Sequence, residues 1–199
     1  MSDLSSLLNS SIGKSLINVV TSKMGANPEQ AQSALGATMP MILSALAKNA
    51  SSADGAKGIF DAIMKKHDGS ILDNLDEAVT QDEVVEDGGG ILGHIFGDKT
   101  EKVAGAVSQS SGMDLSSAMN IMKMAAPVIM GYLGRQTRQN NVSNPMDISN
   151  ILSGMLGGQQ AATRHQSFIE KLIDQDGDGS IMDDIAGMGM KYLGGMFKK

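Results

Sequence analysis

The chain has 199 residues, 41% of them apolar, which is enough material for a real core and sets wholesale disorder aside. A net charge of −6 and an aromatic content of 3% exclude the basic, base-stacking surface that nucleic acid needs. With no cysteine there is neither a disulfide framework nor a thiolate for zinc or nucleophilic chemistry.

The opening MSDLSSLLNSSIGKSLINVV lacks a basic start ahead of an apolar run, so no signal peptide is expected. No run of about 18 apolar residues suggests a membrane span. The expectation is a soluble, cytoplasmic protein. Asn27-Pro28 then sets a capping side chain ahead of a proline at the first helical position, which starts a helix. The 28–49 segment is apolar nearly all round, as a buried central helix is. Pro40 inside it should kink or split that helix, because proline removes a backbone bond and clashes with the preceding turn.

Further along, HDGSILDNL (His67 to Leu75) reads as a turn at Asp68-Gly69 with Ser70 and Asp73 as a capping pair. GGGILGHIFG (Gly88 to Gly97) reads as a flexible connector that also permits close helix packing. Asp98 with Glu101 fits a capping-box variant ahead of an apolar stripe at Val103, Ala106 and Val107. The 114–137 segment is again apolar nearly all round, carries Pro127, and holds Met119, Met122, Met124 and Met130 as core fillers. Asn144-Pro145 repeats the helix-start signal. No stretch shows sustained β alternation. The fold class is all-α.

Two segments echo each other. GANPEQAQSALGATMPMILSAL (Gly25 to Leu46) aligns without gaps to GMDLSSAMNIMKMAAPVIMGYL (Gly112 to Leu133), with Gly25/Gly112, Ala31/Ala118, Pro40/Pro127, Ile42/Ile129 and Leu46/Leu133 identical. HDGSILDNL likewise resembles GDGSIMDDI (Gly177 to Ile185). The pattern implies duplicated helical halves, a first repeat over 1–87 and a second over 88–199, around two kinked buried central helices and packed as one compact, cooperative domain.

The connector GGGILGHIFG, the AAPVIMGYLGR segment (Ala125 to Arg135) and the ending DGDGSIMDDIAGM (Asp176 to Met188) together resemble a bacterial family. It is the domain-of-unknown-function family numbered 937, related to the small YidB-like helical proteins. The resemblance spans roughly residues 88–188 and implies an all-α fold. It implies no activity and supplies no catalytic residues.

The stretch DQDGDGSIMDD (Asp174 to Asp184) carries the chemistry. Calcium takes six to eight oxygens, and a short loop can offer them from alternate residues. Asp174, Asp176 and Asp178 occupy the first three such positions, Gly179 the sharp turn, Ser180 the carbonyl position and Ile181 the apolar anchor. The bidentate glutamate of a standard EF-hand is missing, since Ile185 stands there, so Asp183 or Asp184 must close the site. The expectation is one Ca²⁺ (Mg²⁺ as the alternative occupant) between a 163–173 helix and a terminal helix. A turn with a helix cap at Ser180 and Asp183 explains the residues shared with 68–73. It does not explain Asp174 and Asp176, where the first copy has Met64 and Lys66.

Other motifs carry less. Gly88 to Gly93 spells G-x-G-x-x-G but follows the acidic TQDEVVED rather than a buried strand, and Gly97-Asp98-Lys99-Thr100 fails the phosphate-loop spacing. His67, His94 and His165 share no metal-ligand spacing, and His94, in an apolar run, reads as a structural histidine. No nucleophile elbow is present. The reading is therefore non-enzymatic, against a dispersed-site hydrolase. A second alternative is a self-assembling or partner-binding helical scaffold whose acidic loop is only a turn and cap. In the tail MGMKYLGGMFKK, Met188, Leu193, Met196 and Phe197 lie beside Lys191, Lys198 and Lys199. Docking of that tail onto the body is the default, and contact with a membrane surface or partner is the alternative.

Overall fold

The computed structural model describes residues 10–156. Among them every regular element is helical, as the sequence predicts. Helix α1 (Ser11–Met24) begins where the Ser10 hydroxyl accepts from the Gly13 amide, and it ends at Gly25, whose φ of +65° favours a residue without Cβ. Helix α2 (Pro28–Asn49) opens on a full capping box. Asn27 Oδ1 accepts from the Gln30 amide at 2.8 Å, and Gln30 Oε1 accepts from the Asn27 amide at 3.5 Å. Asn27→Ala should cost about 1 kcal/mol, read from the midpoint shift of a urea melt.

The same device recurs. Helix α6 (Thr100–Ser111) ends at Gly112 with φ +68°, Asp114 caps helix α7 (Leu115–Gln139), and Pro127 lies as deep in α7 as Pro40 does in α2. Neither proline splits its helix; both helices run on through it. The start of α2 is also tied to the end of α6. Gln30 Nε2 donates to the Gly112 carbonyl at 3.2 Å, and the Ser33 hydroxyl donates to the Ser110 carbonyl at 2.9 Å. The other echo, at 177–185, lies outside the described residues.

Helices α2 and α7 pack on each other at the centre of one continuous core. Leu35, Met39, Ile42 and Leu46 of α2 are fully buried, as are Ile121, Met122, Ile129 and Leu133 of α7. Leu16 and Val20 of α1 and Val103 and Val107 of α6 close over them. Met124 and Met130 are buried too, while Met119 sits at the core's edge.

Three sequence expectations give way here. The glycine-rich run is not a flexible connector but part of helix α5 (Asp82–Phe96), and the 87/88 repeat boundary falls inside that helix. Residues from both sides of the boundary share the one core. No capping box forms at Asp98: a 3-10 turn (Gly97–Lys99) leads straight into α6, and the Thr100 hydroxyl donates to the Gly97 carbonyl at 2.7 Å. At Asn144-Pro145 the side chain accepts from the Met146 amide and shapes a turn, so helix α8 (Asp147–Met155) starts later than expected.

Close packing explains the first glycine of the α5 run. A Cβ at Gly88 would land on the Lys123 carbonyl of α7. That carbonyl is four residues before Pro127, which has no N–H to offer it. Gly88 therefore lets α5 lie directly on the oxygen that Pro127 frees, close enough for a Cα–H···O contact.

Candidate functional site

The residues expected to hold calcium, Asp174, Asp176, Asp178, Ser180, Asp183 and Asp184, lie outside the described residues, as do 163–173, expected to be helical, and the MGMKYLGGMFKK tail. The echo of that loop, at 68–73, is described. It shows how this chain handles an acidic Asp-Gly-Ser turn.

Helix α3 (Ala53–Lys65) ends at Lys66, and the chain turns through His67, Asp68 and Gly69 into a 3-10 helix (Ser70–Asp73) followed by the short α4 (Leu75–Ala78). Gly69 has φ +99°, a conformation strained for any residue with a Cβ. Asp68 Oδ1 accepts from the Ser70 amide at 2.9 Å. The expected Ser70–Asp73 capping pair does not form, because Asp73 turns outward to α7.

The two carboxylates of the turn meet a pair of arginines there. Arg135 donates to Asp73 Oδ1 at 2.6 Å and to the Gly69 carbonyl at 2.9 Å, and Arg138 reaches Asp68 Oδ2 at 2.7 Å. Hydrogen bonds from Ser70, its hydroxyl and its amide, and then the Arg138 guanidinium hold the Asp68 carboxyl well below the usual carboxylate range. Both carboxylates of the turn are thus balanced by cations from α7.

The turn comes this close because α7 is bare beneath it. A Cβ at Gly134 would fall on the His67 carbonyl oxygen, and one at Gly131 would meet Ile71 Cγ2. The run Gly131–Tyr132–Leu133–Gly134–Arg135 therefore supplies two seats and a clamp, with Arg138 one turn on. Read from the sequence alone, this segment shows only a buried helix. The available signal was two glycines three apart on a helix, followed by arginines at the same spacing.

A cavity of about 180 Å³ lies between the turn and Arg135, Arg138 and Gln139. It has room for water or a small ion and is smaller than the usual pocket for an organic ligand. Among the described residues no group of three His, Cys, Asp or Glu side chains could hold a metal ion. The structural histidine is His67, only 7% exposed, with Nε2 3.4 Å from Asp87 Oδ2. His94, expected in that role, is exposed, because its apolar neighbours on α5 face the core and it does not.

A sequence model of one family matches residues 6–136, and the family is described as a bacterial protein of unknown function, DUF937. The chain belongs to this family. The DUF937 match crosses the 87/88 boundary and takes in the 67–73 turn, Gly88, Gly131, Gly134 and Arg135. It stops short of Arg138 and of the 174–184 loop, so the ending DGDGSIMDDIAGM lies beyond it. No curated protein and no solved structure matches the chain. Among the described residues no helix is long and apolar enough to cross a membrane.

Proposed function

We propose that this DUF937 chain is a non-enzymatic, all-helical calcium-binding protein whose ion is held by its one DxDxDG loop. Asp174, Asp176 and Asp178 supply side-chain oxygens, Ser180 its carbonyl, and Asp183 or Asp184 the closing carboxylate. Supporting this reading is the charge balance of the described echo, where Asp68 and Asp73 each take a guanidinium. The second loop keeps the Asp-Gly-Ser core and adds Asp174 and Asp176. In the first copy those two positions are Met64, which is exposed, and Lys66, which faces Asp87. Five aspartates in eleven residues repel one another unless a cation offsets them. Their spacing is that of calcium ligands. In a cytoplasm, where free calcium is scarce, the loop must bind tightly, hold Mg²⁺ or stand empty part of the time.

The test is a thermal melt in excess EGTA and in millimolar calcium, beside Asp174→Ala/Asp176→Ala. A ligand that binds only the folded state adds about 2.7 kcal/mol at a hundredfold excess over Kd. The expected result is a calcium-dependent rise in Tm that the double variant lacks. A rise of equal size in both proteins would place the ion elsewhere.

A further inference from the structure

We propose that the 67–73 turn is a pH-sensitive latch on α7, released when the buried imidazole of His67 takes up a proton. The proposal stands apart from the calcium reading, since it uses none of the loop's residues.

Three elements meet at His67. From α5 it faces Asp87, the neighbour of Gly88, at 3.4 Å. On its own segment Lys66 Nζ lies 3.7 Å from the other oxygen of that carboxylate, so Asp87 is already shared with a cation. From α7 it meets Gly134, whose missing side chain makes room for the His67 carbonyl, while Arg135 and Arg138 are turned to Asp73 and Asp68. An imidazolium here would lose its hydration and gain only half of a carboxylate. Burial accordingly pushes the His67 imidazole below its ordinary pKa, with Asp87 opposing and Lys66 assisting.

The sign follows from that direction. Above about pH 6.5 the imidazole is neutral whether the turn is seated or lifted. As pH falls through that value, the lifted turn binds a proton that the seated turn refuses, and opening gains up to tenfold per pH unit. The gain stops below the seated pKa. The Asp68 carboxylate titrates far lower, so its bond to Arg138 does not share this transition. Lifting the turn uncovers the Gly131–Gly134 face of α7 and frees Ile71 and Leu72, which now pack against the core.

Amide hydrogen exchange tests the latch. The Ser70 amide, held by Asp68, and the Leu72 amide, held by the Gly69 carbonyl, report the seated turn. Corrected for intrinsic chemistry, their protection should fall up to tenfold per pH unit below 6.5 in the intact protein and stay flat in His67→Gln. Equal slopes in the two proteins, or protection that rises on acidification, would overturn the proposal. If His67→Gln does not fold, an NMR titration of His67 in the intact protein decides instead. A midpoint below that of a free histidine is expected, and one above it means that the Asp87 pair wins and no latch exists.

Discussion

Replacing Gly88 by alanine will destabilise the protein by about 3 kcal/mol, the upper part of the range for overpacking a well-filled core. The new methyl group falls on the Lys123 carbonyl, which is backbone and cannot rotate away, so α5 must lift from α7 along their shared face. Alanine is worth about 1 kcal/mol more than glycine inside a helix, so a net loss means that contact has outweighed propensity. Gly90→Ala and Gly93→Ala provide the contrast on the same helix. A Cβ at either meets open space, and both changes should stabilise by about 0.5–1 kcal/mol. Urea melts of the three variants check this. If Gly88→Ala matches the other two, α5 does not seat on the carbonyl that Pro127 frees.

Gly134→Ala will cost about 2–3 kcal/mol for a related reason. Its methyl group meets the His67 carbonyl, again backbone, and the 67–73 turn must leave its seat. Displacing the turn separates Asp68 from Arg138 and Asp73 from Arg135. These ion pairs are largely exposed and contribute little by themselves; the loss comes from the turn's backbone and from Ile71. Gly131→Ala should be milder, since the atom it meets is the Ile71 Cγ2 methyl of a side chain rather than backbone. Urea melts rank the two. A Gly134→Ala protein as stable as the parent would mean that the turn does not rest on α7 through this glycine.

Much of the fold could be read from the residues. Gly25 and Gly112, Asn27 before Pro28, and the nearly all-round apolar surfaces of 28–49 and 114–137 act within a few residues of themselves, and local signals of that kind survive folding. Two of the failures share one cause, a partner far along the chain. Gly88-Gly89-Gly90 looked like a connector because glycine weakens an isolated helix, yet α7 needs a helix with no side chain at Gly88. Asp73 looked like a cap for Ser70 because nothing nearby competes for it; Arg135, 62 residues on, does. Among the histidines, local apolarity pointed to His94, but burial is set by which face of α5 meets the core. At the candidate site the spacing of the aspartates in 174–184 is plain from the residues alone. The arginine clamp on its echo is not, since it requires knowing that 68–73 sits on the end of α7.

That clamp gives the proposed function its sharpest form: the acidic Asp-Gly-Ser turn at 68–73 takes cations from Arg135 and Arg138, and the proposal gives the turn at 174–184 a metal ion in their place. Native mass spectrometry addresses the second half of that statement directly. The protein is stripped with EGTA, returned to calcium and desalted. The account predicts one retained calcium ion on the intact protein and none on Asp174→Ala/Asp176→Ala. An intact protein that retains no ion, or a double variant that retains it equally, would contradict the proposed function and leave the aspartates without a cation.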